Sequence, residues 1–164
     1  MGKSTLVKNL QPFLPTEITV ASLSMQDPRV FGSLAQWVGS VAGCTAEAGN
    51  MAAPVCGDLG GLFTWFGTLD AELASDDRRV LLALDEYENL DRKLGESVFP
   101  RDLLDTIRES IQRHRRITWL FAGPVRARAC RVVVLVREPP HRRAAAFQRG
   151  GDAPLAHRAD APFR

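Results

Sequence analysis

The sequence predicts an α/β protein built on a parallel sheet flanked by helices, and three observations carry that prediction. The apolar pattern alternates along the chain as strand, helix, helix, strand, helix, strand, the order that right-handed crossovers over a parallel sheet require. The run Arg79-Val80-Leu81-Leu82-Ala83-Leu84 closes on Asp85 and Glu86, and an apolar stretch this short, bounded by charge, suits a strand buried on both faces. Finally, Gly2-Lys3-Ser4-Thr5 reads as the back half of a phosphate-binding loop leading into a helix. In such a loop the backbone N–H groups wrap the phosphates while the lysine reaches the outer ones.

Each element has its own signal. From Thr5 the chain is expected to enter a helix with Leu6, Val7 and Leu10 on its inner side, its length limited by Pro12 and Pro15. Residues 17–23 start with β-branched side chains and read as a strand, after which Gln26-Asp27-Pro28 makes a turn and a helix start. Val30, Leu34, Trp37, Val38 and Val41 follow helical spacing, with Gly43 as the expected stop. Residues 43–61 are small and without period, and are expected to form a surface loop. Leu62, Phe66, Leu69 and Leu73 mark one face of the next helix, to which Phe63 and Trp65 add core rather than base-stacking surface.

After the carboxylate strand a polar connection is expected up to Pro100, with Tyr87 packed at the strand end. Leu103, Leu104, Ile107 and Ile111 then share a helix face. Asp102 and Asp105 lie in that helix's early turns and Arg113, Arg115 and Arg116 at its end, as the helix dipole prefers. The basic cluster therefore reads as helix termination rather than a nucleic-acid patch, and His114 as a surface or capping residue. Residues 117–122 form the last strand of the pattern.

These motifs, with the text MGKSTLVKNL, LALDEYENL and IQRHRRITWLFAG, resemble a family of bacterial and archaeal AAA-like P-loop ATPases related to the signal-transducing NTPases. The resemblance covers residues 1 to 123 or so and implies a P-loop NTPase-type sheet that binds and hydrolyses ATP to drive a conformational switch. Under it Gly2, Lys3, Ser4 and Thr5 contact the nucleotide phosphates, Ser4 and Asp85 hold Mg²⁺, and Glu86 is the base that polarises the attacking water. Met1 occupies the place just before Gly2, so the front of the loop and its strand are expected to be missing. That strand is expected between the strand ending at Asp85 and the strand of residues 117–122, and its loss would leave two inner edges unpaired. In the resembling family Leu-Phe-Ala-Gly is usually followed by serine; here Pro124 follows.

Composition divides the chain at this point. Residues 1–122 carry 12 Lys/Arg against 16 Asp/Glu, whereas 123–164 carry 9 against 3. Arg, Ala and Pro supply 23 of the last 42 residues. The expected organisation is a partial ATPase domain over 1–122 and a basic tail over 123–164. Three readings of the tail compete: a disordered segment touching nucleic acid or acidic lipid, a further strand formed by the valine run 132–136, and a reading-frame shift in a GC-rich gene. The frame shift is favoured, because permitted codons read one base later can give an apolar strand followed by an Arg-Arg-Leu-Leu helix. Sequencing the gene decides it.

Bulk properties narrow the class further. The chain of 164 residues is long enough for one domain with a core. It has neither an eighteen-residue apolar run nor a leader pattern, and the expected location is the cytoplasm. Cys44, Cys56 and Cys130 are odd in number and form no Cys-x-x-Cys pair, which points to idle thiols rather than a disulfide or zinc framework. No Asn-Lys-x-Asp guanine-reading motif occurs. The expected partners are ATP and either a second copy or an effector domain of the parent protein, with no membrane. A different class of function, an inert remnant or interaction module without turnover, stands as the alternative.

Overall fold

The computed structural model describes residues 9–124 and the backbone of 130–135. Gly2, Lys3, Ser4 and Thr5, the helix expected from Thr5, and the tail after Leu135 lie outside the described residues. A 3₁₀ turn at Gln11–Phe13 precedes strand β1 (Ile18–Ser24). Helices α1 (Pro28–Phe31), α2 (Leu34–Gly49) and α3 (Leu59–Ser75) follow, then β2 (Arg79–Asp85), α4 (Glu88–Gly95), α5 (Asp102–Arg113), β3 (Ile117–Pro124) and β4 (Cys130–Leu135).

The sheet order is β1-β2-β3-β4, with β1, β2 and β3 parallel and β4 antiparallel to β3. The three parallel strands and their flanking helices are the predicted α/β class. Two expectations are corrected here. Val80 through Asp85 pair directly with Ile117 through Ala122, so no strand is missing between them and no inner edge is open. Beyond residue 123 the backbone is not irregular throughout, since residues 130–135 pair with β3.

Among the described residues β2 is the only strand with a parallel neighbour on each side, and it is buried from Val80 to Asp85. One face of the sheet, through Ala21, Leu23, Val80, Leu82, Leu84, Ile117 and Trp119, packs against the apolar sides of α2, α3 and α5. The other face is a smaller cluster of Leu81, Ala83, Leu120 and Ala122 that meets Leu10, Leu14, Ile18 and Val20. The alternation of side chains along each strand divides these two clusters.

Side-chain caps set where the helices begin. Asp27 accepts a hydrogen bond from the Arg29 N–H at 2.9 Å, with Pro28 in the first turn. Ser33 accepts one from Gln36 at 3.2 Å, and Asp58 one from Gly61 at 2.7 Å. Each satisfies a donor that the first helical turn leaves open. α2 does not stop at Gly43. It runs to Gly49 and closes on Asn50, whose φ of 56° supplies the left-handed cap. The segment expected to be a loop over 43–61 is thus helical at both ends, with only Asn50 to Asp58 between. α4 is a further element in the stretch expected to be a polar connection.

Candidate functional site

The carboxyl end of the parallel sheet gathers the residues that can do chemistry. Asp85 ends β2 opposite Ser24 of β1 and Ala122 of β3, and it is only 6% exposed. Its carbonyl accepts a hydrogen bond from the Met25 N–H at 3.0 Å, and its Oδ1 accepts one from the Glu86 N–H at 3.0 Å. The backbone then turns: Glu86 sits at φ 59°, a left-handed conformation that side chains other than Gly, Asn and Asp seldom adopt. This strain falls on a residue whose carboxyl is pushed above its ordinary range, first by burial, then by the charges of Asp85 and Glu88.

The turn seats the next two residues over the end of β3. The Tyr87 N–H donates to the Ala122 carbonyl at 3.2 Å, and the Tyr87 ring meets Phe121 edge-on with centroids 6.0 Å apart. Tyr87 therefore packs at the strand end, as expected. A Cβ at position 123 would collide with Glu88 Oε2 and approach Tyr87 Cδ1 to 2.9 Å. Gly123 is required by this close approach, not by its own φ.

Glu88 opens α4, where a carboxylate favours the positive end of the helix dipole. Its Oε2 is buried and accepts no hydrogen bond among the described residues. Sequence reasoning did not single it out as a site residue. The available signal was the acidic spacing Asp85, Glu86, Glu88, which brings three carboxylates to one turn. Among the described residues none of the three has an ion-pair partner.

The structure thus brings Asp85 and Glu86 together at the place where parallel sheets present ligands. It gives no position for Gly2, Lys3, Ser4 or Thr5. Mg²⁺ takes one or two carboxylates and completes its octahedron with water and phosphate oxygens, and the buried carboxylate of Asp85 fits that pattern. Among the described residues no group of three His, Cys, Asp or Glu could hold a metal ion unaided.

His114 is not a surface residue. It is 7% exposed, lies against the rings of Phe63 and Phe66 with centroids 5.2 and 5.9 Å away, and caps α5 through its N–H to the Ser110 carbonyl at 3.0 Å. It stands by α3 and α5, outside the carboxylate turn. Trp65 is buried in the core and donates from Nε1 to Thr45 Oγ1 at 2.9 Å. Cys44 and Cys56 are free thiols, and burial pushes that of Cys44 up to about 12. Such a thiol is not a nucleophile at neutral pH. Among the described residues no helix is long and apolar enough to cross a membrane. No protein-family model, curated protein or solved structure matches the chain.

Proposed function

We propose that this chain carries the core of a P-loop-type ATPase domain that binds ATP with Mg²⁺ at the carboxyl end of its sheet and hydrolyses it. The observation that supports this reading is the Asp85-Glu86 pair, one buried and one in a strained turn, at the end of the middle parallel strand. The motif Gly2-Lys3-Ser4-Thr5 supplies the phosphate-binding residues in this reading.

Asp85 and Ser4 would hold Mg²⁺, which when bound neutralises charge on the phosphate oxygens. Lys3 would contact the outer phosphates, and Gly2 and Thr5 would contribute backbone donors. Glu86 acts as general base: it accepts a proton from a water molecule whose oxygen attacks the terminal phosphorus as the bond to ADP breaks. The products are ADP and inorganic phosphate. A carboxylate held above its ordinary pKa is the stronger proton acceptor for this step.

Calorimetric titration with ATP and Mg²⁺, together with phosphate release, tests the reading. Wild type should bind in the micromolar range, Lys3→Ala should lose binding, and Glu86→Gln should bind but not turn over. An absence of binding by wild type refutes it. One observation favours the alternative of an interaction module without turnover: Pro124 ends β3 where the resembling family has a serine hydroxyl. In that case Glu86→Gln leaves every measured property of the nucleotide titration unchanged.

A further inference from the structure

Among the described residues β1 is an edge strand, and its outer side is occupied in an unusual way. The Arg79 N–H donates to the Glu17 carbonyl at 2.8 Å. Because N–H and C=O directions alternate together along a strand, Glu17, Thr19, Ala21 and Leu23 address β2. Ile18, Val20, Ser22 and Ser24 therefore present their backbone groups outward. The Gln11 carboxamide meets two of these groups: Nε2 donates to the Ile18 carbonyl at 2.8 Å, and Oε1 accepts from the Val20 N–H at 2.8 Å. One primary amide thus makes the two bonds that the N–H and C=O of one residue in a neighbouring parallel strand would make.

The usual devices against edge pairing are absent from β1. Its sequence, ITVASLS, has neither a charge nor a proline, the residues that most often blunt an edge. Ile18 N–H donates to the Pro15 carbonyl and Asp27 N–H to the Ser24 carbonyl, closing the two ends. Between them, among the described residues, Gln11 is the only group on the outer side of Ile18 and Val20, and nothing meets the N–H and C=O of Ser22. Leu10 and Leu14 hold the plug in place by packing on the smaller face of the sheet.

We propose that Gln11 is a resident plug of the β1 edge, and that releasing it turns β1 into a strand-pairing interface for a second copy of this chain. The occupant follows from the geometry. A two-fold axis through Ala21 sets Val20 of one copy against Ser22 of the other and Ile18 against Ser24, so the outward groups not closed within the chain, from the Ile18 carbonyl to the Ser24 N–H, find complements in an antiparallel, isologous pair. An anchored side chain acts at an effective concentration near the millimolar range, which keeps the plug ahead of a second copy at micromolar protein. This inference does not depend on nucleotide binding.

The test is sedimentation velocity over a concentration series with wild type, Gln11→Ala and the double variant Gln11→Ala/Ser22→Lys. Gln11→Ala should associate at least about tenfold more tightly than wild type. Ser22 is exposed, so the added lysine places like charges close together across the pair and should return association to the wild-type level. Equal association of Gln11→Ala and wild type overturns the proposal, as does association that Ser22→Lys leaves unchanged. If Gln11→Ala loses its far-ultraviolet circular dichroism, Gln11→Glu carries the same test. It keeps an acceptor for Val20 and sets a carboxylate against the Ile18 carbonyl.

Discussion

The two ends of the parallel sheet treat their charges in opposite ways. At the amino end Asp70, Asp76 and Asp77 are each matched: the Arg116 N–H donates to Asp70 at 2.7 Å, the Arg116 guanidinium pairs with Asp77, and Arg78 pairs with Asp76 at 3.1 Å while donating to the Gly49 carbonyl. At the carboxyl end Asp85, Glu86 and Glu88 crowd into one turn without an arginine or lysine among the described residues, and the backbone at Glu86 is strained. The first arrangement ties α2, α3, β2 and β3 together. The second costs stability, and such a cost is expected where a protein keeps groups ready for a ligand.

If this contrast is correct, substitutions at the two ends change stability in opposite directions. The largest effect is expected from Asp70→Ala. It leaves the partly buried Arg116 N–H without its acceptor and should destabilise by about 1–3 kcal/mol, read as a lower urea midpoint. A midpoint equal to wild type would show that the amino end is not held by this bond.

Glu86→Gly should act the other way. Glycine accepts the left-handed backbone at no steric cost, and the change also removes one of three crowded charges. A gain of about 0.5–1 kcal/mol is expected, together with loss of any ATP turnover. A loss of stability would mean that Glu86 makes a favourable contact that outweighs its strain.

The smallest effect concerns His114, near the amino-end cluster. Burial pulls its pKa below the ordinary value, with the Asp70 charge partly opposing. The unfolded chain then binds the proton at higher pH than the folded chain. Its contribution to stability is full above the unfolded value of about 6.5 and is lost as pH falls from there through the folded value, at about 1.4 kcal/mol per unit of separation. Urea unfolding at pH 7.5 and pH 5.5 should show a smaller acid-induced loss in His114→Gln than in wild type. Equal losses would remove His114 from the account.

The carboxyl end was the more legible of the two. A run of apolar residues closing on Asp85 and Glu86 announces both a buried strand and its ligand-facing end, because burial and charge alternate within a few neighbouring positions. The matching of the amino end was not legible. Asp70 and Arg116 are 46 positions apart, and neither has a local signal for the other. The same limit explains α2. Gly43 looked like a stop, yet nothing would contact a Cβ there, and the helix continues because Ala42, Thr45, Ala46 and Ala48 are buried, with Thr45 bonded to Trp65. That tertiary contact offsets the weak helix propensity of glycine.

Local chemistry alone was enough to determine the order of β1, β2, β3 and the main helices, the helix start at Asp27, and the adjacency of Asp85 and Glu86 at a strand end, since each depends on residues a few positions apart. Only the tertiary structure decided that β2 and β3 are direct neighbours, that residues 130–135 add an antiparallel strand, that Glu88 folds over Gly123, and that Gln11 bonds Ile18 and Val20 on the outer side of β1. Those contacts join segments whose separation in the chain leaves no periodic trace, and their energies arise only once the sheet brings the partners together.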